Sequence, residues 1–239
     1  MEFLQELPLA AKAPILIALA FLAGSIPFSM LIGLARGVDI RKVGSGNVGA
    51  TNLGRALGRR YFYLGFALDM LKGLLPTLFA GLVLGTLGRY AAQPLPTLVW
   101  IGVALACMLG HVFSPWLRLR GGKGIATGFG ALLAIFPVMT IGGGVALATF
   151  LATLALWRTI SLSSLAATCS LPITLVLLFL ARADDPAAAL TRDSGPIYVV
   201  FTLMLPVLVI YTHWANIRRL RAGTEPRIGQ RVAPPGTPG

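Results

Sequence analysis

The sequence predicts an all-α integral membrane protein of about seven transmembrane helices, N-terminus outside and C-terminus cytoplasmic. Three observations carry that expectation. Only 12% of the 239 residues are charged while 56% are hydrophobic, where a soluble domain carries about 25% charged residues. Long apolar runs recur at roughly the 20-residue length that a span requires. The cations are shared very unequally between the segments that separate those runs.

The runs place spans near 13–35, 61–87, 95–117, 124–139, 141–157, 160–181 and 196–214. The fourth and fifth are short, and Pro137 with Gly142-Gly143-Gly144 forms a candidate turn between them, so residues 124–157 read as two spans or one broken helix. The first run is too long for a cleavable signal peptide and lacks a basic leader. Residues 1–230 form a single multi-span domain, and the Pro/Gly-rich 231–239 a disordered tail.

Of the twenty Lys and Arg, fifteen lie in four segments of one face: residues 36–60, residues 118–123, Arg158 and the tail from Arg218. Lys12, Arg89, Arg182 and Arg192 fall on the other face, and Lys72 lies inside a span. The rich face is expected in the cytoplasm. A net charge of +12 spread beside membrane spans points to lipid headgroups or a phosphorylated substrate rather than nucleic acid. Cys107 and Cys169 sit in apolar runs without metal-ligand spacing, and His111 and His213 are far apart. Neither a metal nor a cofactor is expected.

Four polar motifs interrupt the oily chain on that face. "LRLRGGKGIATG" (117–128) has the look of a phosphate loop, but Leu117 and Gly124 stand where a P-loop needs Gly and Ser/Thr. Its glycines bracket Lys123 just before a helix start, where free amides and a partial positive charge favour an anion. "RKVGSGNVGATNLGR" (41–55) supplies Ser45, Asn47, Thr51 and Asn52 among four glycines, with Arg41, Lys42 and Arg55 beside them, a composition that exposes backbone amides to anionic oxygens. "WRTISLSSLA" (157–166) sets Ser161 and Ser164 on one helix face, and "YTHWANIRRL" (211–220) does the same for His213 and Asn216. Inside the second span Asp69 and Lys72 are spaced i, i+3 and suit an ion pair. Motifs separated by whole spans yet sharing a face point to one surface site, rich in phosphate binders and poor in ordinary bases.

In "GSGNVGATNLGR", "GHVFSPWLRLRGGKGIATG", "SLSSL" and "HWANIRRLRAGTEPRIG" the chain closely resembles the bacterial membrane glycerol-3-phosphate acyltransferases that use acyl phosphate as donor. "GSIPF" at 24–28 and "LDMLKG" at 68–73 are similar too, and the resemblance runs from about residue 13 to 230. It implies seven helices in the bacterial plasma membrane and a cytoplasmic site. The implied reaction moves a fatty acyl group from acyl phosphate to the sn-1 hydroxyl of glycerol 3-phosphate, giving lysophosphatidic acid and phosphate. It also implies a functional link to the soluble enzyme that makes acyl phosphate. By position, Ser45, Arg55, Lys123, Ser161, His213 and Asn216 take the catalytic roles. Asn47, Thr51 and the loop Gly121-Gly122-Lys123-Gly124 bind substrate. One departure is Ser114, which intervenes between "GHVF" and Pro115 where the family commonly has proline.

An acyl phosphate is already activated, so the residues need chiefly to hold and neutralise two anions. His213 and a phosphate oxygen of the substrate both remain candidates for the proton acceptor; the absence of a carboxylate near His213 in sequence favours the substrate. A transporter of phosphate or phosphorylated metabolites is the rival reading, but it would place its binders near the midplane, on broken helices of inverted repeats. A non-enzymatic binder of anionic lipid would need the cations but not the Ser/Asn/His set.

Overall fold

The structure, a computed structural model, describes residues 5–90, 92–182 and 185–228. The predicted tail at 231–239 lies outside them. Among the described residues the regular elements are helical, and six helical segments are long and apolar enough to cross a membrane.

The first span, Leu9–Ala35, is made of α1 (Leu9–Ser25) and α2 (Phe28–Ala35). Pro27 separates them: its ring disfavours helical backbone at the residue before it, and Ile26 is extended at φ −61°, ψ 119°. The motif-bearing loop 36–49 leads to the surface helix α3 (Ala50–Leu57) and then to α4 (Arg59–Leu84). Helix α5 (Pro94–Val112) ends in a 3₁₀ turn at Pro115–Leu117. After the glycine loop come α6 (Ile125–Ala134), α7 (Val138–Trp157) and α8 (Ile160–Arg182). The short α9 (Pro186–Thr191) starts at Asp185, whose carboxylate accepts the Ala188 amide at 3.0 Å. Helices α10 (Gly195–Thr212) and α11 (Trp214–Arg221) end the fold.

The predicted fourth span, 124–139, holds a shorter helix than expected. Helix α6 has 10 residues, which rise about 15 Å, half of a hydrocarbon core of about 30 Å. Residues 124–157 are neither two full spans nor one broken helix: a half-length helix is followed by a full one. The turn between them is Ile135–Pro137, while Gly142, Gly143 and Gly144 lie inside α7. There Gly143 faces Leu132 and Leu133 of α6 and so lets the two helices approach.

Packing relies on glycine where helices touch. A Cβ on Gly24 would overlap the Cys107 carbonyl and one on Gly110 the Phe21 carbonyl, which seats α1 on α5. Gly73 and Gly130 do the same for α4 against α6, at the carbonyls of Thr127 and Met70. Close backbone approach of this kind replaces the hydrophobic drive that lipid removes. Trp100 is fully buried and donates its indole N–H to the Thr77 carbonyl at 2.7 Å. Cys107 is a core residue as expected, whereas Cys169 is exposed on the outside of the bundle.

Contacts between distant segments define the two ends. At one, Lys123 meets Asn216, Ser161 meets Glu225, and the Ile228 amide donates to the Arg158 carbonyl at 2.7 Å. At the other, the Gly88 amide donates to the Phe136 carbonyl at 3.0 Å.

Candidate functional site

The glycine loop is held from below by α5. Ser114 donates to the Ser25 carbonyl at 2.7 Å, and Trp116 donates to the Ser25 hydroxyl at 2.9 Å. These bonds fix the 3₁₀ turn on the end of α1, so the departure at Ser114 has a structural use. Arg118 and Leu119 then adopt positive φ, 52° and 62°, and the chain folds back on α5. The Gly121 amide donates to the Val112 carbonyl at 2.9 Å and the Gly122 amide to the His111 carbonyl at 3.1 Å.

The amides of Gly121 and Gly122, two residues expected to bind substrate, are thus taken up by α5 carbonyls. Their missing side chains serve close packing, since a Cβ on Gly121 would overlap the His111 carbonyl and one on Gly122 the His111 ring. Among the described residues, the amides of Lys123, Gly124, Ile125 and Ala126 have no backbone acceptor, as the first turn of a helix leaves them.

Lys123 leaves this loop and donates to the Asn216 amide oxygen at 2.6 Å. Asn216 in turn donates to Glu225, which also accepts from Ser161 at 2.8 Å and from Arg219 at 2.7 Å. Two of the four motifs thus meet on one carboxylate, and Lys123 of a third joins them through Asn216. Burial pushes that carboxyl up, but the hydrogen bonds from Asn216, Ser161 and Arg219 outweigh it and hold Glu225 below its usual range. Burial lowers Lys123 to about 8; Glu225 opposes the shift, and Arg219 and Arg55 add to it.

His213 is the joint between α10 and α11 rather than a residue of one continuous helix with Asn216. It is buried, with Nδ1 2.9 Å from the Val209 carbonyl, so Nδ1 carries the proton and Nε2 is the acceptor. Burial lowers it to about 4, with Lys123 reinforcing the shift. Thr212 donates to the Lys123 carbonyl at 3.4 Å and links this joint to the loop.

The first motif is organised by Asn52, a residue outside the expected site set. Its amide nitrogen donates to the carbonyls of Ile40 at 2.7 Å and Val43 at 3.0 Å, and its oxygen accepts the Ser45 amide at 2.9 Å. Ser45 is left exposed, while Asn47 and Thr51 are half-buried. These three lie beside the network without a hydrogen bond to it among the described residues. Arg55, in the last turn of α3, couples electrostatically to Glu225 and Arg219. A small core of Met30, Ile40, Val48, Leu53 and Tyr61 ties the motif to Leu117 of the second.

Immediately inside the loop lies an apolar cavity of about 120 Å³, lined by Gly124 and Ile125 and walled by Met108, Phe129, Phe150 and Leu171. Ser164, expected beside Ser161 on the polar side, lines this cavity and donates to the Ile160 carbonyl. Sequence reasoning missed Glu225 and Arg219 as site residues. The available signal was a lone acid in the basic stretch from Arg218 onward.

Comparison with known proteins finds close relatives of nearly the whole chain. The glycerol-3-phosphate acyltransferase family matches residues 14–223. The chain belongs to that family. The glycerol-3-phosphate acyltransferase of Trichlorobacter lovleyi is 42% identical over 212 residues, covering 89% of this chain and 95% of its own. That of Aquifex aeolicus is 40% identical over 221 residues, covering 91% and 100%. A crystal structure of PlsY (YgiH), an integral membrane glycerol 3-phosphate acyltransferase, in its glycerol 3-phosphate form superposes with a TM-score of 0.74. It is 35% identical and covers 91% of this chain and 96% of its own. Its lysophosphatidic acid form gives 0.73. In this acyltransferase the polar network and the apolar cavity therefore adjoin at one end of a membrane bundle.

Proposed function

We propose that the chain transfers a fatty acyl group from acyl phosphate to the sn-1 hydroxyl of glycerol 3-phosphate at the cytoplasmic face of the bacterial plasma membrane, with residues 1–230 acting as one unit. The observation that carries this reading is the junction at Gly124. On one side stand Lys123 and the open amides of α6; on the other begins an apolar cavity. A substrate with an anionic head and a hydrocarbon tail fits across such a junction. A transported metabolite has no use for the hydrocarbon side.

In the proposed reaction the hydroxyl oxygen of glycerol 3-phosphate attacks the acyl carbonyl carbon. The bond from that carbon to the phosphate oxygen breaks, and inorganic phosphate leaves with the electron pair. Lys123, Arg55 and Arg219 offset the anionic charge, most strongly where it grows on the leaving phosphate. Ser45, Asn47, Thr51, Ser161 and Asn216 position the two substrates. The hydroxyl proton passes to a phosphate oxygen, since burial and Lys123 lower His213 to about 4 and make it a poor acceptor. The acyl phosphate is expected from the soluble enzyme that produces it.

Purified protein given acyl phosphate and glycerol 3-phosphate is expected to form lysophosphatidic acid without added metal and in excess chelator. Acyl thioester is expected to substitute poorly, since it lacks the second phosphate. Equal rates from thioester would overturn the donor assignment, and movement of glycerol 3-phosphate across sealed vesicles without product would restore the transporter.

A further inference from the structure

Beneath the glycine loop lies a buried polar cluster that the proposed chemistry does not use. Asp69 of α4 pairs with Lys72 at 2.9 Å and accepts from the Ser29 hydroxyl of α2 at 3.1 Å. Lys72 also donates to the Ile26 carbonyl at 2.6 Å, the group freed where Pro27 breaks the first span. Asp69 then stands 3.9 Å from Nδ1 of His111, and the Thr127 hydroxyl of α6 lies 3.2 Å from the same nitrogen. All five side chains are buried. Burying an ion pair in an apolar bundle is a weak source of stability, and ionisable groups inside a membrane are by default functional.

The far side of His111 is what gives the cluster direction. Its carbonyl accepts the Gly122 amide, and its ring occupies the space where a Cβ of residue 122 would stand. The residue after Gly122 is Lys123. We propose that His111 is a positioning residue for glycerol 3-phosphate: held by Thr127 and seated beside the Asp69–Lys72 pair, its ring sets the height of Gly122 and so the placement of Lys123 and the α6 amides. The proposal rests on the loop receiving that substrate. A loop bonded to α5 and packed on that ring has few ways to move, and small displacements of a positioning group are costly in rate.

The test measures Michaelis constants in purified His111→Ala, His111→Asn and Thr127→Val. His111→Ala is expected to raise KM for glycerol 3-phosphate about tenfold or more while KM for the acyl donor stays within about twofold. His111→Asn, which keeps a polar atom near the position of Nδ1, should recover most of that loss, and Thr127→Val should shift the same KM in the same direction. Gly122→Ala should be poorly folded through collision with the ring, and His111→Ala/Gly122→Ala should regain thermal stability, a non-additive pair. Loss of stability and kcat in His111→Ala with KM for glycerol 3-phosphate unchanged would overturn the proposal. So would equal damage from His111→Asn, or a double variant no more stable than Gly122→Ala. A wild-type protein that makes no product from glycerol 3-phosphate would instead sink the functional reading itself.

Discussion

Lys123 is the residue whose chemistry the structure constrains most. Burial lowers it to about 8, so the free protein carries the ammonium below that pH and loses it above. A phosphate bound there restores the charge, so the titration belongs to the free enzyme and is read in kcat/KM. For glycerol 3-phosphate, kcat/KM is expected to fall as pH rises through about 8. Lys123→Arg should remove that alkaline fall, because guanidinium stays charged, while lowering the plateau through its different fork geometry. A persistent fall in the Arg variant would assign the titration elsewhere. Legibility at this scale followed distance along the chain. Asp69 and Lys72, three residues apart, have a spacing that suits the ion pair they form. Glu225 reaches Ser161 from 64 positions away, and a contact of that separation has no local signature.

At the scale of elements, α6 is where hydropathy misled. A window over 124–139 is apolar enough to suggest a span, because composition reports what surrounds a helix and not how long it is. The real determinants are the turn at Ile135–Pro137 and the fold-back at 118–122, which leave room for 10 residues. That half-helix is fixed to α4 through Gly73 and Gly130. Gly73→Ala and Gly130→Ala are each expected to lower stability by about 1–3 kcal/mol, as overpacking does, visible as a reduced Tm in detergent. Gly144→Ala, with open space around its Cβ, serves as the control and should leave Tm unchanged or raise it. Equal Tm values across the three would mean that the α4–α6 seam tolerates separation.

For the whole molecule, the charge asymmetry and the six long helices need reconciling, since an even number of crossings would put both termini on one side. A seventh crossing would reconcile them, and the fold-back loop with the half-length α6 is the segment that could supply it: it leaves the end shared by Lys123, Arg158 and Glu225 and reaches the end where Phe136 meets Gly88. On that count the positive-inside argument predicts N-terminus out and C-terminus in. Single cysteines at the exposed Lys42 and Arg221, in a background lacking Cys107 and Cys169, should resist a membrane-impermeant thiol reagent in intact cells. A cysteine at exposed Asp185 should react. Labelling of Lys42→Cys and Arg221→Cys on opposite sides would separate motifs that the site requires together.

The cavity inside Gly124 has a bearing on which lipids this acyltransferase makes. At about 120 Å³ it is smaller than the 150 Å³ hole that takes up one benzene, so on the proposed chemistry it houses only the carbons nearest the reacting carbonyl. The remainder of a long chain must trail between helices into the bilayer, where one methylene more or less meets the same surroundings. Such an enzyme would have no ruler. It would discriminate against branching or bulk close to the carboxyl end and be largely indifferent to length, leaving the membrane's chain-length distribution to be set upstream, by whatever terminates acyl chain growth.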